Sequence, residues 1–168
     1  NERINMTKKH KICVIGASGL VGSSIIRSAL EKGYSVNGTL RNKKANKVKY
    51  LKALPNSNNL TLFSADMQNT ECFLDPLNDV DVVFIACLIP TYKGKDGTLA
   101  KEMDYSTGYR EIIMPTVTGC LNILKAAKIK NLKNVVICSS TSSTNPVPPV
   151  AIKNEVEHWS DEEEQCKA

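Results

Sequence analysis

The chain has 168 residues, 42% of them hydrophobic and 23% charged, which is enough for one domain that buries a sizeable core. The six cysteines are scattered without a CxxC pair and the two histidines lie far apart, which argues against a disulfide scaffold or a zinc site and favours free thiols in a reducing cytoplasm. The polar N-terminus lacks the apolar core of a signal peptide, no apolar run approaches the ~20 residues of a membrane span, and the net charge of +5 is unevenly placed.

Apolar runs and helical patterns alternate along the chain. Apolar runs bounded by turn residues predict buried strands over residues 11–16, 34–40, 59–66, 80–87 and 134–140. Helices are predicted between them, over residues 20–33, 43–54, 70–79 and 111–130. Strands that alternate with helices form a parallel sheet with right-handed crossovers. The sequence therefore predicts an α/β fold, a doubly wound parallel sheet of at least five strands.

A glycine-rich turn, GASGLVG, follows the first predicted strand. Gly16 permits the tight turn, Gly19 lets the backbone approach a pyrophosphate, and Gly22 lets the next helix pack closely on the sheet. Free N–H groups and the positive end of that helix would hold the phosphates. An ordinary turn is the alternative, but the strand before it and the helix after it favour dinucleotide binding. The other candidate contacts in this turn are Ser18, Leu20 and Val21.

A basic block follows the second predicted strand, where NAD-binding chains usually place an Asp or Glu for the ribose hydroxyls. Arg41 stands there instead, and a guanidinium fork suits the 2′-phosphate of NADP. The block continues with Lys43, Lys44, Lys47, Lys49 and Lys52. A solvated helix face is one alternative, and nucleic acid is disfavoured because aromatic interleaving is poor and the rest of the chain shows no basic stripe. NADP is the predicted cofactor, unless Arg41 is only a surface residue at a strand end.

A carboxylate follows the third predicted strand. Asp66 comes directly after this apolar run and would lie beside the glycine turn, since the carboxyl ends of parallel strands share one edge of the sheet. It could accept a hydrogen bond from the amino group of an adenine. The alternative is that Asp66 caps the helical segment that begins near Thr70.

Several motifs together resemble the extended short-chain dehydrogenase/reductase family. They are the GxxGxxG spacing, Arg41, and the stretches LTLFSADM, EIIMPTVTGCLNILKAA, KNVVICSS and NEVEHWSDEEEQCKA. Within that family the chain is most similar to the plant branch of dihydroflavonol, anthocyanidin and cinnamoyl-CoA reductases, over residues 10–168. The resemblance implies a Rossmann-type fold and an NADPH-dependent reduction of carbonyl groups on aromatic or phenylpropanoid-type small molecules in plant specialised metabolism.

The resemblance also implies roles for individual residues. Ser140 matches the serine of the family's Ser-Tyr-Lys triad, which hydrogen-bonds the substrate carbonyl, and Asn145 matches a position that faces the substrate. A flexible polar loop is the alternative for the serine-rich stretch around Ser140. Cofactor contacts are implied at Arg41, Lys47 (if one loop residue is absent here), Asp66, Met67 and Cys87.

The chain also departs from the family pattern. Leu88 replaces the small hydroxyl residue near the nicotinamide ribose, and residues 91–110 are unlike the family, so they form a substrate or partner loop or are poorly ordered. No tyrosine of the chain stands in the YxxxK motif that supplies the catalytic tyrosine and lysine. Reduction of a carbonyl leaves an alkoxide that needs this proton donor. We therefore expect the chain by itself to be a very poor reductase.

Three segments are expected: a polar extension over residues 1–10, an NADP-binding domain over 11–140, and the start of a substrate-side segment over 141–168. The chain is expected to be truncated before the C-terminal substrate region, which leaves the fifth strand as an exposed edge. It is then either the cofactor-binding part of a reductase or a naturally truncated, non-catalytic relative with a binding or regulatory role. The expected partners are a small-molecule substrate and, at that edge, either a second copy of the chain or the missing C-terminal half. Binding to nucleic acid, to a membrane or to a metal ion is not expected.

Overall fold

The computed structural model describes residues 10–44, 46–87, 91–144, 146, 148–154 and 156–160, with Lys47 and Ser142 as backbone alone. The strands are β1 (Lys11–Ile15), β2 (Ser35–Leu40), β3 (Leu60–Ser64), β4 (Val82–Ile85) and β5 (Asn134–Ile137). They form one parallel sheet in the order β3-β2-β1-β4-β5. The chain starts in the middle, builds outward to β3 and then crosses to β4, which confirms the predicted doubly wound sheet.

Helices cover both faces of the sheet. They are α1 (Leu20–Glu31), α2 (Lys49–Lys52), α3 (Tyr105–Gly108) and α4 (Met114–Ile129). Because side chains alternate along a strand, Ile12 and Val14 of β1 pack in the cluster that contains the buried side of α1. Cys13 and Ile15 pack in the opposite cluster, which contains the buried side of α4. The continuous apolar run of β1 thus reflects a central strand covered on both faces.

Two of the predicted helices are shorter than expected. The segment predicted over residues 43–54 forms a 3₁₀ turn (Asn46–Val48) and the single turn of α2, because among the side chains described in this lysine-rich stretch only Val48 and Leu51 are buried. The segment predicted over 70–79 forms a 3₁₀ turn (Thr70–Phe73). Pro76 lacks an N–H and disfavours the helical conformation of the residue before it, so the helix does not continue.

The helix predicted over residues 111–130 instead starts earlier, inside the stretch predicted as a loop. The Asp104 carboxylate accepts a hydrogen bond from the Thr107 N–H at 3.0 Å and caps α3. A π-helical segment, Tyr109–Ile113, then joins α3 to α4. Pro115 crowds the carbonyl four residues before it and cannot bond to it, and the wider π turn absorbs that conflict.

The combined helix over Tyr105–Ile129 is long and apolar enough to cross a membrane by length and composition, although the sequence alone suggested no such stretch. A core helix of a sheet-based domain meets the same criterion. Here one side of α4 packs on the sheet through Ile123, Ala126 and Ala127, which are almost completely buried. At the sheet edge, Val136 and Ile137 of β5 are 48% and 43% exposed.

Candidate functional site

A cavity of about 330 Å³ opens at the carboxyl ends of β1 to β4, where the strand order reverses. It is lined by Ile15, Gly16, Ser18, Gly19, Thr39, Leu40, Arg41, Ala65, Asp66, Met67, Phe73, Ala86 and Cys87. Seven of these residues were predicted from the sequence as cofactor contacts: Gly16, Ser18, Gly19, Arg41, Asp66, Met67 and Cys87. Residues from four separate turns therefore meet in one site.

The glycine turn is packed too closely for side chains. Gly16 has a φ of +86°, and a Cβ there would lie 2.4 Å from the Cβ of Cys87. The N–H groups of Gly16 and Ala17 both donate to the Thr39 carbonyl, at 3.1 and 2.9 Å, which fixes the turn to β2. A Cβ at Gly22 would lie 2.2 Å from the Gly16 oxygen, so α1 starts directly against the turn. These contacts account for Gly16 and Gly22 as predicted.

The first turn of α1 offers a ligand its backbone amides rather than its side chains. The Leu20 and Val21 side chains are 87% and 44% exposed, and neither lines the cavity. Their N–H groups belong to the first helical turn, which has no intrahelical acceptors for its amides. No acidic side chain lies in that turn to compete for them. The predicted contacts at these two residues are therefore amide contacts at most.

Arg41 and Asp66 line the cavity just after the ends of β2 and β3. Arg41 is exposed directly after β2. The Asp66 Oδ1 atom accepts a hydrogen bond from the Gln68 N–H at 2.9 Å, which holds the carboxylate at the end of β3. The helix cap considered for Asp66 is supplied by Asn69 instead, whose side chain accepts from the Glu71 N–H at 2.9 Å.

Sequence reasoning did not identify Tyr50. Its side chain is 44% exposed, and its hydroxyl donates to the Ser18 carbonyl oxygen at 3.1 Å. This hydrogen bond joins the basic segment to the glycine turn across 32 positions of sequence. A single tyrosine among lysines carries no local pattern that would reveal such a long-range partner.

Helix α4 holds the turn that carries Asp66 and Met67. The buried Asn122 amide donates to the Met67 carbonyl at 3.0 Å and accepts from the Thr70 hydroxyl at 3.1 Å. The Gln68 amide reaches the Pro115 carbonyl at 2.9 Å. These contacts were also missed from the sequence, although Asn122 lies inside the family-like stretch, because the pattern gives no partner for it.

The predicted substrate side is less completely described. Ser140 is exposed in the turn after β5 and is not among the residues that line the cavity. Its carbonyl accepts from the Ser143 hydroxyl at 2.6 Å, which shapes a compact turn rather than a loose loop. Asn145, Leu88 and the Lys47 side chain lie outside the described residues.

Two thiols of the α4 side of the sheet, Cys13 and Cys120, have raised pKa values. Burial in the centre of β1 raises the pKa of the Cys13 thiol to about 12, despite the opposing charge of Lys11. Desolvation also raises the pKa of Cys120 in α4. Both thiols therefore stay protonated and are poor nucleophiles near neutral pH. Within the described ranges, no three His, Cys, Asp or Glu residues are grouped as metal ligands would be.

A family model for NAD(P)H-binding domains matches residues 16–167. The chain belongs to this NAD(P)H-binding family. Its match begins at the glycine turn, includes every turn that lines the cavity, and supports a nicotinamide cofactor for the chain.

Plant flavonoid reductases are among its relatives, which confirms the resemblance stated from the sequence. The dihydroflavonol 4-reductase of Arabidopsis thaliana is 35% identical over 143 residues, covering 83% of this chain and 35% of that enzyme. The anthocyanidin reductase of the same plant is 28% identical over 167 residues, covering 97% and 46%. The crystal structure of vestitone reductase from alfalfa is 29% identical with a TM-score of 0.64, covering 91% and 43%. The chain thus spans less than half the length of each of these relatives.

Proposed function

We propose that this chain is the cofactor-binding part of an NADPH-dependent reductase that acts on a carbonyl group of an aromatic or phenylpropanoid-type small molecule. The observation that carries the cofactor choice is Arg41, a cation at the rim of the cavity where NAD-binding chains have an acid. Membership of the NAD(P)H-binding family supports a nicotinamide cofactor, and the arginine favours its 2′-phosphate form.

The lining residues fit such a cofactor. The glycine turn keeps side chains away from the start of α1, whose amides would hold the pyrophosphate. The Arg41 guanidinium would pair with the 2′-phosphate, and the Asp66 carboxylate would accept from the adenine amino group. Met67 and Cys87 supply apolar and polarisable surface in the cavity lining. The bound cofactor would supply a hydride to the substrate.

The substrate class is inferred from the relatives. Two of them are named for reducing a dihydroflavonol and an anthocyanidin, both aromatic polycyclic compounds. Ser140 follows β5 at the same edge of the sheet as the cavity, and its hydroxyl would hydrogen-bond the substrate carbonyl. The proton for the resulting alkoxide must come from a tyrosine and lysine outside these 168 residues, since no YxxxK occurs within them. We also propose that the chain is similar to cinnamoyl-CoA reductases, acts in plant metabolism and is located in the cytoplasm.

A second candidate is a non-catalytic relative that binds the cofactor and a protein partner. The half-exposed apolar side chains of Val136 and Ile137 on β5 favour it, because an uncovered edge strand readily pairs with another chain. In this version Ser140 has no catalytic role and a homodimer or a companion chain covers the edge.

Binding of NADPH and NADH to the wild type, Arg41→Ala and Arg27→Ala tests the cofactor assignment. Arg27 is an exposed cation on α1 outside the cavity, so its variant controls for loss of positive charge alone. Loss of one charge-assisted pair should weaken NADPH binding about tenfold or more and NADH binding by less than about twofold. Equal losses for the two cofactors would contradict the 2′-phosphate assignment.

Oxidation of NADPH in the presence of dihydroflavonols or aromatic aldehydes separates the two candidate functions. The 168-residue chain should bind NADPH without turning it over, and turnover should appear when a segment that contains YxxxK is supplied. Robust turnover by the chain alone would show that another group in it donates the proton. No turnover with the added segment would favour the non-catalytic candidate.

A further inference from the structure

Two buried side chains anchor the basic segment after β2 to the core. Val48 and Leu51 are 3% and 0% exposed and pack in the cluster between α1 and the sheet. Their burial leaves Lys49, Tyr50 and Lys52 on the outer side of the segment. Tyr50 is the residue of this outer side that reaches back to the glycine turn, through its hydroxyl and the Ser18 carbonyl at 3.1 Å.

That hydrogen bond fixes one end of a single peptide unit. The Ser18 carbonyl and the Gly19 N–H belong to the same planar peptide and point in opposite directions. The Gly19 N–H donates to the Gly16 carbonyl at 3.0 Å, so Tyr50 and Gly16 hold the two ends of this plane. Its orientation sets the entry to α1, which begins at the next residue. A rotation of this plane would turn a carbonyl dipole toward the phosphates.

The same hydrogen bond closes a ring of chain that begins at the cavity. Arg41, which lines the cavity, starts the ring at the end of β2, and the Lys43 N–H donates to the Ser64 hydroxyl at 3.1 Å, which ties its first part to β3. Tyr50 ties its last part to the glycine turn. The two ties hold the backbone of the segment that follows Arg41.

We propose that Tyr50 is a positioning residue for cofactor selectivity: its hydroxyl holds the glycine turn and the basic segment together, so that Arg41 at the start of the segment stays beside the 2′-phosphate. This inference rests on the proposed use of NADPH. Tyr50 touches no reacting atom; it acts through the Ser18 peptide and through the position of the segment. Its contribution should therefore appear in the ratio of NADPH to NADH affinity.

The test compares Tyr50→Phe with Tyr34→Phe. Tyr50 is partly exposed, so removal of its hydroxyl leaves water to solvate the Ser18 carbonyl and should not unfold the chain. Tyr34 lies just before β2, at the end of that strand opposite Arg41, and its ring packs edge-on against His10 at a centroid distance of 5.4 Å. Tyr34→Phe therefore serves as the control for loss of a tyrosine hydroxyl. Equal thermal midpoints establish that both variants are folded.

Dissociation constants are measured for NADPH and NADH, and for the half-molecules 2′,5′-ADP and 5′-ADP. Loss of one neutral hydrogen bond that positions Arg41 should weaken NADPH and 2′,5′-ADP binding about three- to tenfold in Tyr50→Phe. NADH and 5′-ADP should change by less than about twofold, and Tyr34→Phe should change none of the four. Tyr50→His, which keeps a donor, should recover part of the selectivity.

Three other outcomes overturn the inference. Unchanged affinities for both cofactors in Tyr50→Phe, with the NADPH-to-NADH ratio reduced in Arg41→Ala, would remove the role of Tyr50 and leave the NADPH proposal standing. Equal weakening of both cofactors would show that the hydroxyl supports only the glycine turn. A wild-type chain without any preference for NADPH would overturn the inference together with the NADPH proposal.

Discussion

Gly22→Ala should destabilise the domain even though it replaces a helical glycine by the best helix former. The new Cβ would lie 2.2 Å from the Gly16 carbonyl oxygen and 2.9 Å from its carbon, against an ordinary contact of at least 3.4 Å. The obstructing atoms are backbone, so α1 or the glycine turn must move by about 1.2 Å. Such a shift would loosen the packing of Ile26 and Leu30, which are completely buried on the sheet.

The size of the effect follows from two opposing contributions. Overpacking of a rigid contact costs ~3 kcal/mol, and exchange of Gly for Ala in a helix returns ~1 kcal/mol. We therefore expect a loss of about 2 kcal/mol in the free energy of unfolding, or a fall of about 4–8 °C in Tm for a domain of this size. Urea denaturation followed by circular dichroism measures it, and NADPH affinity should fall as well because the turn is displaced.

Two other helical glycines provide a graded control. A Cβ at Gly108 in α3 would meet the Met103 Cβ at 3.8 Å, which is ordinary contact, so Gly108→Ala should stabilise by up to ~1 kcal/mol. A Cβ at Gly119 in α4 would lie 3.0 Å from two Met67 side-chain atoms, which can partly move, so its variant should fall between the others. If Gly22→Ala proved as stable as Gly108→Ala, the close approach of α1 to the turn would be refuted.

Two further predictions concern α4 and the helix before it. Asn122→Leu should lower the free energy of unfolding by ~1–3 kcal/mol, because the Met67 carbonyl and the Thr70 hydroxyl lose their partner. Thr70→Val should lower it by less in the same urea titration. Equal losses in the two variants would contradict this assignment. Hydrogen bonds from Thr107 lower the pKa of the Asp104 carboxyl in the folded chain. The Asp104 cap therefore stabilises α3 fully when the pH is above the unfolded pKa of this carboxyl. This stabilisation is lost as the pH falls through the lower folded pKa. Asp104→Asn should remove that part of the acid dependence of far-UV circular dichroism, and an unchanged acid limb would exclude it.

The features that the sequence predicts correctly are those encoded in adjacent residues. The five strands and the GxxGxxG turn are visible as runs and spacings, and Arg41 and Asp66 follow from their places after strands. The helix predicted over 43–54 fails because lysines have good helix propensity but, of the side chains described in the segment, only Val48 and Leu51 are fully buried in the core. Tertiary packing, rather than local preference, set the length of that helix.

Long-range contacts explain what could not be predicted. The Tyr50 hydrogen bond to Ser18 and the Asn122 hydrogen bond to Met67 join residues 32 and 55 positions apart, and neither residue belongs to a periodic pattern that indicates its partner. The early start at Tyr105 depends on a cap and a π turn that periodicity does not detect. Such contacts decide how firmly the predicted turns are held.

The burial of Cys13 gives the protein a built-in reporter of its own opening. This thiol is 0% exposed in the central strand, inside the core cluster that contains the buried side of α4, and its pKa of about 12 keeps it protonated. A thiol reagent therefore reaches it only when the sheet separates, whereas the exposed Cys138 remains accessible throughout. The rate of reaction at Cys13 therefore measures how often the sheet opens. A ligand that binds only the closed sheet slows this reaction in proportion to the ligand's occupancy.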